Sequence, residues 1–236
     1  MTDPFVRPQA QSRPASPVLP SAWPGVRGGW ATPSTVVAFA VALMSGPASA
    51  QPLEWTRQSP RATWQPAMEY DQARGVTVLF GGNTNDGASG ETWVWDRQSW
   101  SRRPVAGPPA RAYAPMVYDA RRRVLVLFGG INLNTRLGDT WEWDGWAWSQ
   151  RSVTGPTPRY GQAMAYDSSR GVCVLFGGNT AQFINSGETW EWNGEAWARR
   201  ATTGPSPRLE AAMAFVPGRN VTVLFGGYDG NSGLGQ

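Results

Sequence analysis

Histidine is absent from this chain of 236 residues. Imidazole is the commonest protein ligand for zinc, copper and non-haem iron, so its absence excludes the usual ligand sets for these metals. It also removes the side chain that most often acts as a general base near neutral pH. The sequence therefore predicts a protein without a cofactor, and it argues against an enzyme.

Cysteine and lysine are also scarce. Cys173 is the only cysteine, which excludes an intramolecular disulfide. All 21 basic residues are arginines, and they are set against 17 acidic residues, so the formal net charge is only +4. Without a long basic block, this near balance argues against binding to nucleic acid.

The first fifty residues differ in composition from the rest. Residues 1–34 are rich in Pro, Ser and Arg, residues 35–44 ("TVVAFAVALM") are mostly apolar, and Ala48-Ser49-Ala50 follows. This order favours a secretory signal peptide cleaved after Ala50, and thus a secreted, periplasmic or cell-surface protein. A membrane-spanning helix needs about 20 apolar residues, so no stable span is expected after cleavage. An uncleaved anchor is the alternative, and a start codon downstream of Met1 would account for the long polar stretch.

The pentapeptide VLFGG occurs four times. It begins at Val78, Val126, Val174 and Val223, at intervals of 48, 48 and 49 residues. A fixed period in this range indicates a solenoid or a propeller. Each period holds four short segments rich in Val, Leu, Phe, Trp, Tyr and Thr, bounded by Gly, Asn, Asp or Ser. Four antiparallel strands in a repeat of this length predict an all-β fold built from propeller blades.

The predicted propeller domain covers residues 51–236. It comprises three complete four-stranded blades near 62–103, 111–151 and 159–200, and a partial fourth blade at 208–236. A lone fourth strand is predicted at 53–58, where Trp55 occupies the position of Trp100, Trp148 and Trp197. The ends would either meet in a gapped ring or form an open arc, as in a fragment of a longer propeller. We favour the arc, and we expect the incomplete blade to promote self-association.

Tryptophan and cysteine positions in the repeat indicate a structural role. The third strand carries two tryptophans two residues apart, which places them on one face to cover the neighbouring blade. These pairs are Trp93 and Trp95, Trp141 and Trp143, and Trp190 and Trp192. Cys173 occupies the position of Thr77, Leu125 and Thr222, which favours a small core side chain over a reactive thiol.

These motifs together resemble the kelch repeat, in the form found in secreted bacterial kelch proteins of the galactose-oxidase-like superfamily. They are "VLFGG", "DTWEWDG" at 139–145, Trp148 and "TPRYGQAMAYD" at 157–167. The resemblance covers residues 53–230 and implies a kelch-type propeller, a fold that carries both binding modules and enzymes. The position two before the Met, often His in this family, holds Pro66, Ala114, Gln162 and Ala211 here.

Two enzyme types found among kelch relatives are disfavoured. The copper site of a galactose oxidase, which the resemblance would imply, uses His ligands and a Tyr bonded to Cys, and this chain has no His and a mid-strand Cys. A relative of the sialic-acid epimerases would need an acid–base pair among the loop carboxylates. Three of these carboxylates recur before Thr-Trp and are interpreted as residues that open the third strand. The loop acids are Asp86, Glu91, Asp139, Glu188 and Asp229.

The loops after the second strands are the predicted binding surface. They differ among copies, whereas the loops between blades ("GPPAR", "GPTPR", "GPSPR") scarcely vary and are expected to be structural. The sequence thus predicts a non-catalytic binding or scaffold module for an unknown protein or carbohydrate. The candidate ligand-binding residues are Asn83, Asn85, Asp86, Asn132, Asn134, Arg136, Asn179, Gln182, Asn185, Tyr228 and Asp229.

Overall fold

The computed structural model describes residues 59–61, 63–180 and 184–234. The predicted leader at 1–50, the predicted lone strand at 53–58 and Gln182 lie outside the described residues. Regular structure in the described part consists of twenty strands and one 3-10 turn.

The strands group into successive blades. The first blade contains β1 (Ala67–Asp71), β2 (Val76–Phe80), the two-residue strands β3 (Asn83–Thr84) and β4 (Gly87–Ala88), β5 (Thr92–Trp95) and β6 (Trp100–Arg103). The second contains β7 (Met116–Asp119), β8 (Val124–Phe128), β9 (Ile131–Asn132), β10 (Thr135–Arg136), β11 (Thr140–Trp143) and β12 (Trp148–Arg151). The third contains β13 (Arg159–Tyr160), β14 (Ala163–Asp167), β15 (Val172–Phe176), β16 (Asn179–Thr180), β17 (Thr189–Trp192) and β18 (Trp197–Ala201). The fourth contains β19 (Ala212–Val216), the 3-10 turn Pro217–Arg219 and β20 (Val221–Phe225).

The predicted fold class is confirmed. Each of the first three blades is a four-stranded antiparallel sheet, in the orders β1-β2-β5-β6, β7-β8-β11-β12 and β14-β15-β17-β18. In the fourth blade, β20 pairs with β19 and with no other strand in the described part of the chain. The sheets therefore follow one another as propeller blades, of which the last has two described strands.

The core lies between successive blades. The first strands adjoin one another, because β7 contacts both β1 and β14, and β14 also contacts β19. One apolar cluster joins the first and second blades and another joins the second and third. The second strand of an inner blade is buried on both faces, as Val126 and Leu127 show.

The fourth-strand tryptophans Trp148 and Trp197 pack across the blade junctions. The Trp148 ring centroid lies 5.2 Å from that of Phe80 in the preceding blade, and its Nε1 donates to Thr92 Oγ1 at 2.9 Å. Trp197 repeats the contact with Phe128 at 5.1 Å. The two junctions among the first three blades therefore each combine apolar burial with a buried Trp–Thr hydrogen bond.

The repeated segment at 159–167 forms two strands, β13 and β14, in place of one continuous strand. Gly161 has a left-handed backbone (φ 67°), which separates β13 from β14. Equivalent residues in the other blades share this conformation, with φ of 55° at Gln65 and 57° at both Tyr113 and Glu210. The break turns the segment before each first strand away from its own sheet, so that it pairs with the loop after the second strand, as β13 does with β16.

The two ends of the blades carry different loops. The loops after the second strands and the loops between blades share one end, which we call the hairpin face, as the bridges of Trp64 with Asn83 and of Leu209 with Tyr228 show. The turns between first and second strands and between third and fourth strands lie at the opposite end, which we call the turn face.

Candidate functional site

The nearly uniform loops between blades are structural, as predicted. Arg111 is fully buried, and its guanidinium donates to Gly129 O at 2.9 Å and to both oxygens of Asp139 at 2.6 and 2.9 Å. Arg159 is fully buried in the same way and donates to Gly177 O at 3.0 Å and to Glu188 at 2.8 Å. Each arginine thus ties a blade's incoming loop to its Gly-Gly turn and its third strand.

The carboxylates before the third strands are held by several donors. Besides its arginine, Asp139 accepts a hydrogen bond from Trp141 Nε1 at 2.7 Å. Glu188 accepts one from Trp190 Nε1 at 3.0 Å. Burial would raise the pKa of the Glu188 carboxyl, but hydrogen bonds from Arg159, Trp190 and Arg199 lower this pKa to about 2. A carboxylate held ionised in this way is a poor proton donor near neutral pH.

Two adjoining depressions lie on the hairpin face. The first, of about 530 Å³ and here called the outer cleft, lies between the third and fourth blades and contains Tyr160, Asn185 and Tyr228. The second, of about 380 Å³ and here called the central cleft, takes residues from all four blades, among them Tyr113 and Leu209. Tyr160 and Leu209 line both clefts, so they form one continuous surface.

Six of the predicted binding residues come together around these clefts. Arg136 lies over the Tyr160 ring, with its Cζ 5.3 Å from the centroid, and Nη2 donates to Asn179 Oδ1 at 2.8 Å. Asn179 Nδ2 donates to Asn185 Oδ1 at 3.1 Å, and Asn185 Nδ2 donates to Tyr228 O at 3.2 Å. Asn83 lines the central cleft, and Asp229 lines the outer cleft.

The remaining predicted residues lie elsewhere on the loops. Asn85 and Asp86 are exposed, and Asp86 forms an ion pair with Arg61 at 2.6 Å. Asn132 is half-buried where β9 pairs with β10, and Asn134 is exposed at the tip of that hairpin. None of these four residues lines the outer cleft or the central cleft.

Several residues of the clefts were not among the predicted binding residues. Tyr113 and Tyr160 meet edge to face with centroids 5.6 Å apart, and the aliphatic side chains of Leu133 and Ile184 are 82% and 61% exposed beside them. Tyr113 and Glu210 occupy the left-handed position that also holds Gln65 and Gly161. Variation at this one position, inside an otherwise repeated segment, was the signal that could have identified them.

The described residues show neither a metal site nor a membrane-spanning helix, and their one cysteine is buried. Residues 59–61, 63–180 and 184–234 contain no group of three or more His, Cys, Asp or Glu side chains that could hold a metal ion. The same residues contain no helix long and apolar enough to cross a membrane. Cys173 is buried, and this burial raises the pKa of its thiol far above the usual range.

Comparison with known proteins agrees with this architecture. The family model described as the KLHDC2/KLHL20/DRC7 Kelch-repeats domain matches residues 67–235. No curated protein shows significant similarity to the chain. The family match extends from β1 to beyond β20, and it includes all four VLFGG copies and the Trp-bearing strands between them. The chain therefore belongs to the kelch-repeat family.

Proposed function

We propose that this kelch propeller is a non-catalytic binding module that holds an extended segment of a protein partner across the hairpin face. The observation that carries the proposal is the continuous surface of the outer and central clefts. There, amide groups of Asn179 and Asn185 lie beside the rings of Tyr160 and Tyr228. Membership of the kelch-repeat family supports a protein-binding scaffold.

The apolar side chains at the clefts favour a protein over a carbohydrate. Leu133 and Ile184 expose aliphatic surface, which suits the side chains of a peptide better than the hydroxyl groups of a sugar. Sugar sites typically use a free aromatic face, whereas Arg136 lies over the Tyr160 ring and Tyr113 also contacts that ring. A mixed surface of Tyr, Asn and aliphatic groups is typical of protein interfaces.

We also place the partner outside the cytoplasm, on the strength of the predicted signal peptide. Mass spectrometry of exported protein is expected to show an N-terminus at Gln51. A protein found only inside the cell, or one that keeps residues upstream of Ala50, would contradict this location.

The binding proposal is tested by selecting displayed random peptides against the whole protein. A selected peptide is then measured on the double variant Leu133→Ser, Ile184→Ser, which is expected to weaken binding at least about tenfold because it removes the apolar anchors. Both side chains are exposed, so the unfolding free energy is expected to change by no more than about 0.5 kcal/mol each. The matched control is Trp146→Ser, because Trp146 is 77% exposed on the turn face.

The outcomes separate the alternatives. Equal loss of affinity in the Trp146→Ser variant would show that the peptides bind elsewhere. Failure to select any peptide, together with capture of an oligosaccharide that depends on Asn185, would replace the protein partner with a carbohydrate.

A further inference from the structure

A third depression continues from the central cleft toward the inner ends of the first strands. It has a volume of about 360 Å³, and we call it the axial cavity. Four residues in equivalent positions, here called the axial tier, line it: Gln65, Tyr113, Gly161 and Glu210. Tyr113 and Glu210 also line the central cleft, so the two spaces are continuous.

The backbone of the axial tier is fixed by hydrogen bonds between neighbouring blades. Tyr113 N donates to Gln65 O at 3.0 Å, Gly161 N donates to Tyr113 O at 3.0 Å, and Glu210 N donates to Gly161 O at 2.6 Å. Three of the four residues are not glycine, although all four have left-handed φ. Such strain persists only where the surroundings impose it, and it is concentrated at functional positions. The tier therefore presents variable side chains from an invariant backbone.

The charge of this space is negative. Glu210 is the only charged residue among the described residues that line the axial cavity or the central cleft. Its neighbour Tyr113 remains a neutral phenol, because burial and then the Glu210 charge raise the pKa of Tyr113. Gly161 has no side chain, and the side chains of Leu209 and Glu210 pack beside it, within about 3.5 Å of where a Cβ would lie. The remaining tier residue, Gln65, offers a neutral amide.

We propose that the axial cavity binds a single cationic group, the ammonium or guanidinium of a Lys or Arg side chain, between the Glu210 carboxylate and the Tyr113 ring. A carboxylate forms its stronger hydrogen bonds with charged donors, and an aromatic face attracts a cation. The inference rests on the proposed function, because it assigns that side chain to the protein segment held in the adjoining central cleft. It adds that a basic residue of the segment is the one that enters the axis.

The test uses simple cations rather than the partner. Methylguanidinium and n-butylammonium are titrated into the whole protein, and the backbone amide resonances of Gly161 and residue 210 are followed by NMR. Both cations are expected to shift these resonances, less so at high salt, whereas neutral n-butanol leaves them unmoved.

Three variants locate the charge that is responsible. Glu210→Gln is expected to weaken cation binding about fivefold, the scale of a solvent-accessible ion pair. Gln65→Glu is expected to strengthen it, because a second carboxylate then joins the tier. The matched control Glu195→Gln removes an exposed acid on the turn face and leaves the binding unchanged.

The results distinguish this site from the proposed function. Cation binding that is insensitive to both Glu210→Gln and Gln65→Glu, or equal shifts with n-butanol, would overturn the axial cation site even if peptides bind the clefts. Cation binding that follows these variants would sustain the site even if no protein partner is found. Should Glu210→Gln fail to fold, the gain in the Gln65→Glu variant decides the question.

Discussion

Arg159 lies fully buried at the start of the third blade, where its guanidinium donates hydrogen bonds to the Gly177 carbonyl and to the Glu188 carboxylate. Removing one partner of such a pair leaves a buried charge without compensation, which is costly. The first blade lacks this arrangement, because Thr63 occupies the equivalent position and its buried Oγ1 has no hydrogen-bond partner. There Glu91 pairs instead with the exposed Arg102 at 3.1 Å. The anchoring of the incoming loop therefore differs between inner and first blades.

The Glu188 carboxylate predicts a specific loss of stability in acid. Its pKa is about 2 in the folded protein and 4.5 as the ordinary value, so the stabilisation is complete above about pH 5 and is lost as pH falls toward 2. Between pH 5 and pH 2 the unfolding free energy is expected to fall by about 1–3 kcal/mol less in the Glu188→Gln variant than in the unmodified protein. Urea denaturation at a series of pH values measures this unfolding free energy for both proteins.

The control for this experiment is Glu195→Gln, which removes an exposed carboxylate on the turn face. It is expected to leave the pH dependence of stability as in the unmodified protein. An identical acid-induced decline in the Glu188→Gln variant would show that the Arg159 pair does not hold the blade.

At this scale the sequence was informative where a residue repeats. The buried arginines and the carboxylates before Thr-Trp recur in register, and repetition alone indicated that they are structural. Tyr113 and Glu210 were missed because the left-handed backbone beneath them is marked by glycine in one copy only, at Gly161. That backbone is imposed by hydrogen bonds between blades, which a local pattern does not contain.

Among the elements, the fourth strand joins one blade to the preceding blade. Trp197 in β18 packs on Phe128, and its Nε1 donates to Thr140 Oγ1 at 2.9 Å in the second blade. Trp192 in β17 adds a second bond across the same junction, to Glu142 at 3.0 Å. The outer strands are therefore held by apolar burial against the neighbouring sheet as well as by their own ladder.

This junction predicts graded losses of stability. Trp197→Ala is expected to reduce the unfolding free energy by about 3–5 kcal/mol, because a large cavity is left between blades. Trp197→Phe keeps one aromatic ring but loses the bond to Thr140 and part of the indole volume, so a smaller reduction of about 1–3 kcal/mol is expected. Chemical denaturation measures both, and Trp146→Ala on the turn face is the control. Equal losses in the two Trp197 variants would contradict the separation of packing from hydrogen bonding.

The four strands of each blade could be predicted because alternating apolar residues and turn residues mark them directly. The two-residue strands β3, β4, β9 and β10, and the pairing of β13 with β16, were not predicted. Strands of this length show no period of two, and β13 finds its partner only through the tertiary arrangement of the hairpin face. The clefts depend on those pairings, so their shape was not evident from the loop sequences alone.

For the whole molecule, the first and fourth blades each present a face without a neighbour among the described residues. Val223 and Phe225 are 49% and 61% exposed, whereas the equivalent Val126 and Phe128 are fully buried against the next blade. On the first blade, Trp95 and Trp100 are half-buried, with centroids 5.7 Å apart. Trp100 is equivalent to Trp148, which packs on Phe80, and Phe225 is equivalent to Phe80, so the two open faces carry the aromatic pair of an inner junction.

We expect two copies of the protein to join these faces, with Trp100 of one copy packed on Phe225 of the other. The contact is heterologous, since different surfaces meet, and it therefore extends to rings or chains of copies. Sedimentation velocity across a range of concentrations is expected to show association that Phe225→Asp abolishes, because a carboxylate would be buried against an indole without a partner. Trp146→Asp, at an equally exposed aromatic on the turn face, is expected to leave the association intact. A protein that stays monomeric at high concentration, or an association equally sensitive to both variants, would refute this pairing of blade faces.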